Sequence, residues 1–168
     1  MAKPRKVAGL RWAEWTSCPP FAAAPRRRTG PQKAGLAFQR NATRALAHLG
    51  TALHAGPWIR FEDRNGPGFA QPDILLAGTS TFLVLECKLK FTPSAILQLD
   101  ALYRPLLEAL VPSTPIRRAV LCKYLTPQAK ALIPRPALEV WWDDIPHSGS
   151  CAILSWNGQG RLFPDGDT

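Results

Sequence analysis

A chain of 168 residues is long enough for one domain with a substantial core, and 46% hydrophobic with 20% charged residues exclude a disordered protein. The net charge of +9 is concentrated, because residues 1–44 carry ten Lys or Arg against the single acid Glu14 while the remainder is balanced at eleven of each. Such an excess favours a polyanionic partner, with a solvated tail as the plainer alternative, and prolines at 4, 19, 20, 25 and 31 exclude a long amphipathic membrane helix there.

Residues 1–32 read as a basic, Pro-rich arm closed by PRRRTGP, with Arg26, Arg27 and Arg28 at its end. Its Trp12, Trp15 and Phe21 would either dock on the domain or stack on bases. Residues 33–168 read as one domain. KAGLAFQRNATRALAHLG (33–50) predicts a helix with Phe38, Ala42, Ala45, Leu46 and Leu49 on its apolar stripe and Gly50 as its stop. Arg40, Arg44 and His48 form a separate basic stripe on it.

PWIRFEDRNG (57–66) predicts a strand closed by an NGPG turn, with Ile59 and Phe61 on one face and Trp58, Arg60 and Glu62 on the other. DILLA and TFLVLECKL follow, and the short GTS link predicts an antiparallel hairpin. TPSAILQLDALYRPLLEAL (92–110) predicts a second helix, capped by Thr92 and kinked at Pro105. RRAVLCKYL (117–125) then predicts a buried strand parallel to the one before the helix. ALEVWW and CAILSW are weaker strand signals. The order predicts an α/β sandwich around a mixed sheet.

The four cysteines are scattered and match no disulfide, zinc or iron–sulfur spacing. No apolar run reaches membrane-spanning length and no signal-peptide core follows the charged start, so a cytoplasmic protein with no membrane partner is expected. The Arg-rich start leaves an organelle transit peptide open.

Charges interrupt the most apolar region. Glu86 and Lys88 lie at i and i+2 on one strand, so both project from the face that carries Phe82 and Val84. The tight hairpin can bring Asp73 beside Glu86. Two carboxylates at a half-buried sheet end repel unless a divalent cation neutralises them, and hard oxygen ligands suit Mg2+ or Mn2+. The Cys87 main-chain carbonyl could add a further oxygen. The plainer alternative is a same-face ion pair of Glu86 with Lys88 at a sheet edge.

"PD" at 72–73, thirteen residues to Glu86, then "ECK" resembles the PD-(D/E)XK nuclease superfamily. The resemblance covers about residues 33–125 and implies a restriction-endonuclease-like αβββαβ core. It implies that Asp73 and Glu86 hold the metal, and that Lys88 acts on the attacking water and scissile phosphate. Where many members carry an acid on the first helix, this chain has Gln39, which could hold a metal-bound water but adds no charge. Glu62, on the predicted first strand, is a substitute ligand to consider, with an exposed strand-end acid as the plainer alternative. QLDALY (98–103) resembles the Gln-and-Tyr helix motif of the RecB-like branch with one extra residue between the pair, which would turn Gln98 toward the site or the nucleic acid.

The expected function is therefore a Mg2+-dependent nuclease, with DNA as the expected partner and phosphates gripped by Arg26, Arg27, Arg28, Lys33, Arg40 and Arg44. The small single domain looks like phage or mobile-element nucleases, including junction resolvases, for which the host cytoplasm would be the location. The family also allows a homodimer. Two alternatives stand beside it: an inactive nucleic-acid binder on the same fold, and a phage structural or assembly protein with a basic arm.

Overall fold

The computed structural model describes residues 5–23, 27–47, 52–131, 138–142 and 151–155, the last two segments as backbone strands. In chain order the elements are β1 (Trp12–Thr16), α1 (Pro20–Ala23), α2 (Gly30–Leu46), β2 (Ala52–Ala55), β3 (Trp58–Asp63), β4 (Gly66–Ala70), β5 (Ile74–Ala77) and β6 (Phe82–Lys90). There follow α3 (Pro93–Gln98), a π-helical turn (Leu99–Tyr103), α4 (Arg104–Leu110), β7 (Ile116–Tyr124), α5 (Pro127–Lys130), β8 (Leu138–Trp142) and β9 (Cys151–Ser155).

The strands make two open sheets in a mixed α/β molecule. The larger has the order β2-β5-β6-β7-β9-β8, and the smaller β1-β3-β4. Among the described residues only β6 and β7 pair in parallel, since the helical segment 93–110 carries the chain back between them. β5, β6 and β7 are apolar on both faces, as strands covered from two sides must be. Leu83 and Leu85 of β6 meet Phe38, Ala42 and Leu46 of α2 on one face. Val84 meets Leu99, Tyr103 and Leu106, together with Ile59 and Phe61 of the small sheet, on the other. Each such buried aliphatic contributes about 1.5–3 kcal/mol. The second helix and the DILLA–TFLVLECKL hairpin thus lie where periodicity places them, while the first helix begins at Gly30, inside the segment read as the arm, and closes at Ala47 rather than at Gly50.

The first strand of the larger sheet differs from expectation. WIRFED forms β3, but in the small sheet, and the unforeseen β2 takes the edge beside β5. Alternation shows that a segment is a half-buried strand without showing which sheet it joins. Gly56 makes the switch between sheets at φ 58°, a left-handed value that glycine adopts without cost. Of the NGPG read as a turn, Gly66, Pro67 and Gly68 belong to β4.

The N-terminal segment is not a free arm. β1 pairs antiparallel with β3, and Val7, Leu10 and Ala13 pack on the core. Its cations are engaged internally: Arg11 binds Glu62 at 2.8 Å, and Arg5 binds Asp63 at 2.7 Å while lying over the Phe61 ring. The Arg5 guanidinium also donates to the carbonyls of Gly66 and Pro67.

A π-helical turn, Leu99–Tyr103, stands just before Pro105. The proline ring would strike the carbonyl four residues back, and it has no N–H to offer. The Arg104 N–H instead reaches Leu99 O, five residues back, and α4 starts with Pro105 in its first turn. The Ala101 carbonyl, denied a donor at position 105, accepts the Val7 N–H at 2.8 Å. Leu49, Gly50 and His48, assigned to the end of the first helix, lie outside the described residues. Among the described residues, no helix is long and apolar enough to cross a membrane.

Asp63 anchors this N-terminal seam from a buried position. Burial alone would raise its pKa, but the Ala8 N–H, the Arg5 guanidinium and the Asn65 N–H outweigh it and hold the carboxyl below its ordinary 3.8. A lowered folded pKa stabilises the fold above the unfolded value, and that stability is lost as pH falls through the lowered one. Asp63→Ala should therefore cost about 3 kcal/mol at neutral pH by urea denaturation. The variant should also lose that part of the acid sensitivity that begins below pH 3.8.

Candidate active site

The β5–β6 hairpin builds the site through its register. Its last pair is Ile74 with Leu85, so one step further Asp73 stands opposite Glu86 where the ladder ends. Leu75 and Val84 fix the shared face, which is the one toward Tyr103 and the small sheet. Beyond Leu85 the strand edge is released from pairing with β5. There the Cys87 N–H donates to Asp73 Oδ2 at 2.8 Å. The Cys87 carbonyl leaves from the same strand edge as its N–H.

Asp73 is held at its backbone as well. Its carbonyl accepts the Gly56 N–H at 2.9 Å and Gln39 Nε2 at 3.3 Å. Gln39 is thus a positioning residue for Asp73 in this structure, its amide turned to the main chain. Gln71 Nε2 returns a bond to the Gly56 carbonyl at 2.9 Å, and a Cβ on Gly56 would lie 2.8 Å from that nitrogen.

Glu86 is 2% exposed. Its Oε1 pairs with Lys88 Nζ, as the ion-pair alternative foresaw, although β6 is an inner strand and not an edge. Its Oε2 is buried and has no hydrogen-bond partner among the described residues. Burial first, and then the Asp73 charge, push the Glu86 carboxyl up to about 7 against the opposing pull of Lys88. Burial likewise raises Asp73, against the Cys87 N–H and Lys88.

Tyr103 closes the buried side. It donates to the Gln71 carbonyl at 2.8 Å and receives Gln98 Nε2 at 2.5 Å. Burial and the nearby Glu86 charge raise its hydroxyl well above 10, so it stays a donor. The π turn explains how a Gln and a Tyr five residues apart meet: the extra residue is absorbed in the wider turn. Gln98 is bound here and is not among the residues lining the cleft.

A cleft of about 590 Å3 opens over the site. Asp73, Cys87 and Lys88 form its floor, Gln39 and Arg27 and Arg28 one wall, and Phe21 and Trp58 another. Arg27 and Arg28 also line an adjoining basic hollow with Lys33 and Arg40. Arg44 is exposed elsewhere on α2, and Arg26 lies outside the described residues. Glu62 is committed to Arg11 and to Trp12 Nε1 on the small sheet, away from the site. Gly56 and Gln71 have no assigned role from sequence, whereas Tyr103 is the tyrosine of the Gln-and-Tyr motif read in QLDALY and is buried in the core. The signal for Gln71 was its place two residues before Asp73.

No group of three or more His, Cys, Asp or Glu side chains gathered to hold a metal occurs among the described residues. Comparison with protein-family models, with curated proteins and with solved structures finds no match.

A carboxyl whose folded pKa is raised destabilises the fold when it ionises. Unfolded Glu86 loses its proton near 4.5 and folded Glu86 near 7, so stability falls as pH rises across that window and levels above it. In chelator, thermal unfolding followed from pH 4.5 to 7.5 should show this decline. Glu86→Gln should flatten it. A wild-type midpoint that stays constant or rises would contradict the assignment.

Proposed function

We propose that this protein is a divalent-metal-dependent nuclease, with the helix, β2-β5-β6 meander, helix and parallel β7 forming a PD-(D/E)XK-like core into which β3 and β4 are inserted. One observation carries the reading: Asp73, on the floor of a basic cleft, stands opposite the buried Glu86 at the end of the hairpin, and one Glu86 oxygen lacks a hydrogen-bond partner among the described residues. Burying such an atom costs about 1–3 kcal/mol, more when charged, and a cation is the partner that suits it. Two carboxylates, with the Cys87 carbonyl as a third oxygen, fit hard Mg2+ or Mn2+. Such an ion, held by Asp73 and Glu86, would polarise a phosphoryl oxygen and acidify water.

The chain's own residues supply the rest. The Cys87 and Gly56 N–H groups and the Gln39 amide fix Asp73 before substrate arrives, so little reorganisation is needed at reaction. Lys88, on the cleft floor, is placed to stabilise charge growing on the phosphate and to orient the attacking water. Arg27, Arg28, Lys33 and Arg40 line up as phosphate contacts that hold the strand without reading its sequence.

A second reading, a non-cleaving nucleic-acid binder, has an observation of its own. Gln39 brings no third acid, and Lys88 already compensates Glu86. Incubating single-stranded, duplex and branched DNA with Mg2+ or Mn2+ separates the two. The nuclease reading expects metal-dependent cleavage that Asp73→Ala and Glu86→Ala each abolish. Lys88→Ala should slow it by about 10²–10³-fold. Binding that persists with no cleavage in either metal selects the second reading.

A further inference from the structure

The aromatic wall of the cleft is unused by the chemistry above. Phe21 is 56% exposed, with Trp15 and Phe69 also exposed. It is held in place there, packed edge-on against Trp58 at 6.5 Å and Phe69 at 5.3 Å between ring centres. Phe21 and Trp58 line the same cleft as Arg27, Arg28, Asp73 and Lys88. Trp58 also lines a second, mostly apolar hollow of about 350 Å3 with Trp15 and His54. Aromatic faces thus border the basic wall and continue past Trp58.

We propose that this wall stacks unpaired bases, and that the substrate is a nucleic-acid strand with its bases unstacked rather than an intact duplex. The inference rests on the nuclease reading for its floor but not for its wall. Proteins that hold single strands combine a basic groove for the backbone with aromatic rings for successive bases, because every base has a π face. A duplex turns those faces inward and offers Phe21 none. A volume of about 590 Å3 lies within the range of sites that enclose small ligands, about 300–1,000 Å3, which is the scale of one or two nucleotides. With a base against Phe21 and Trp58 and its phosphates toward Arg27 and Arg28, the adjoining phosphodiester lies over Asp73 and Lys88.

The test is equilibrium binding in chelator to a fluorescent single-stranded oligodeoxynucleotide of mixed sequence and to its duplex, across a range of salt. The wild type should bind the single strand at least tenfold more tightly. Phe21→Ala should weaken strand binding about tenfold, the worth of one stacked base, and Phe21→Tyr should restore it. The salt slope of Phe21→Ala should match wild type, which shows the fold and the phosphate contacts intact. Equal affinity for strand and duplex, or strand affinity unchanged in Phe21→Ala, overturns the inference. Strand-preferring, Phe21-dependent binding without cleavage in Mg2+ or Mn2+ would retract the nuclease and keep the stacking wall. Asp73-dependent cutting of duplex with no preference for strands would do the reverse.

Discussion

The placement of Asp73 opposite Glu86 is the constraint around which the molecule is arranged. Burial at this water-poor sheet end raises the pKa of both carboxyls, the Asp73 charge raises that of Glu86 further, and folding has to bring them there against that cost. The apolar pairs immediately before them, Ile74 with Leu85 and Leu75 with Val84, are buried on both faces of the sheet and fix the register. A slip of one residue would turn those side chains to the wrong layers, so the core leaves the carboxylates no other alignment. Three separate parts of the chain then clamp Asp73: the second strand of the hairpin, the glycine that switches sheets and the helix carrying Gln39.

The small sheet changes what the charge of the chain means. Read as composition, the basic N-terminal quarter is a single excess. In the fold it divides. Arg5 and Arg11 neutralise Asp63 and Glu62 and join the first strand to the domain, whereas Arg27 and Arg28 line the cleft and, with Lys33 and Arg40, the hollow beside it. The same sheet contributes Trp58 and, through Phe69, the support of Phe21. An insertion between two strands of the main sheet therefore walls the candidate site and ties down the start of the chain.

Period-two reasoning was sufficient to put Glu86 and Lys88 on one face, and a short turn was sufficient to bring Asp73 to them. Both are local properties, set by the pleat and by loop length. The helices at 30–46 and 93–110 were legible for a similar reason, since their apolar stripes repeat at three and four residues. Membership of a sheet is a long-range property, so WIRFED could be seen as a strand while its partners could not. The direction of the Gln39 amide was equally hidden, because it depends on the Asp73 carbonyl 34 residues away. The π turn had a visible cause in Pro105, but the widening itself depends on packing around Tyr103.

The Val7–Ala101 bond gives the N-terminal segment a hand in the architecture of the site. Ala101 lies in the turn that presents Tyr103, Tyr103 holds the carbonyl of Gln71, and Gln71 stands two residues ahead of Asp73. A polypeptide whose translation began downstream of Val7 would expose an unsatisfied carbonyl in the middle of that relay. Its core could still assemble, yet the acid at the cleft floor would lose one of its distant supports.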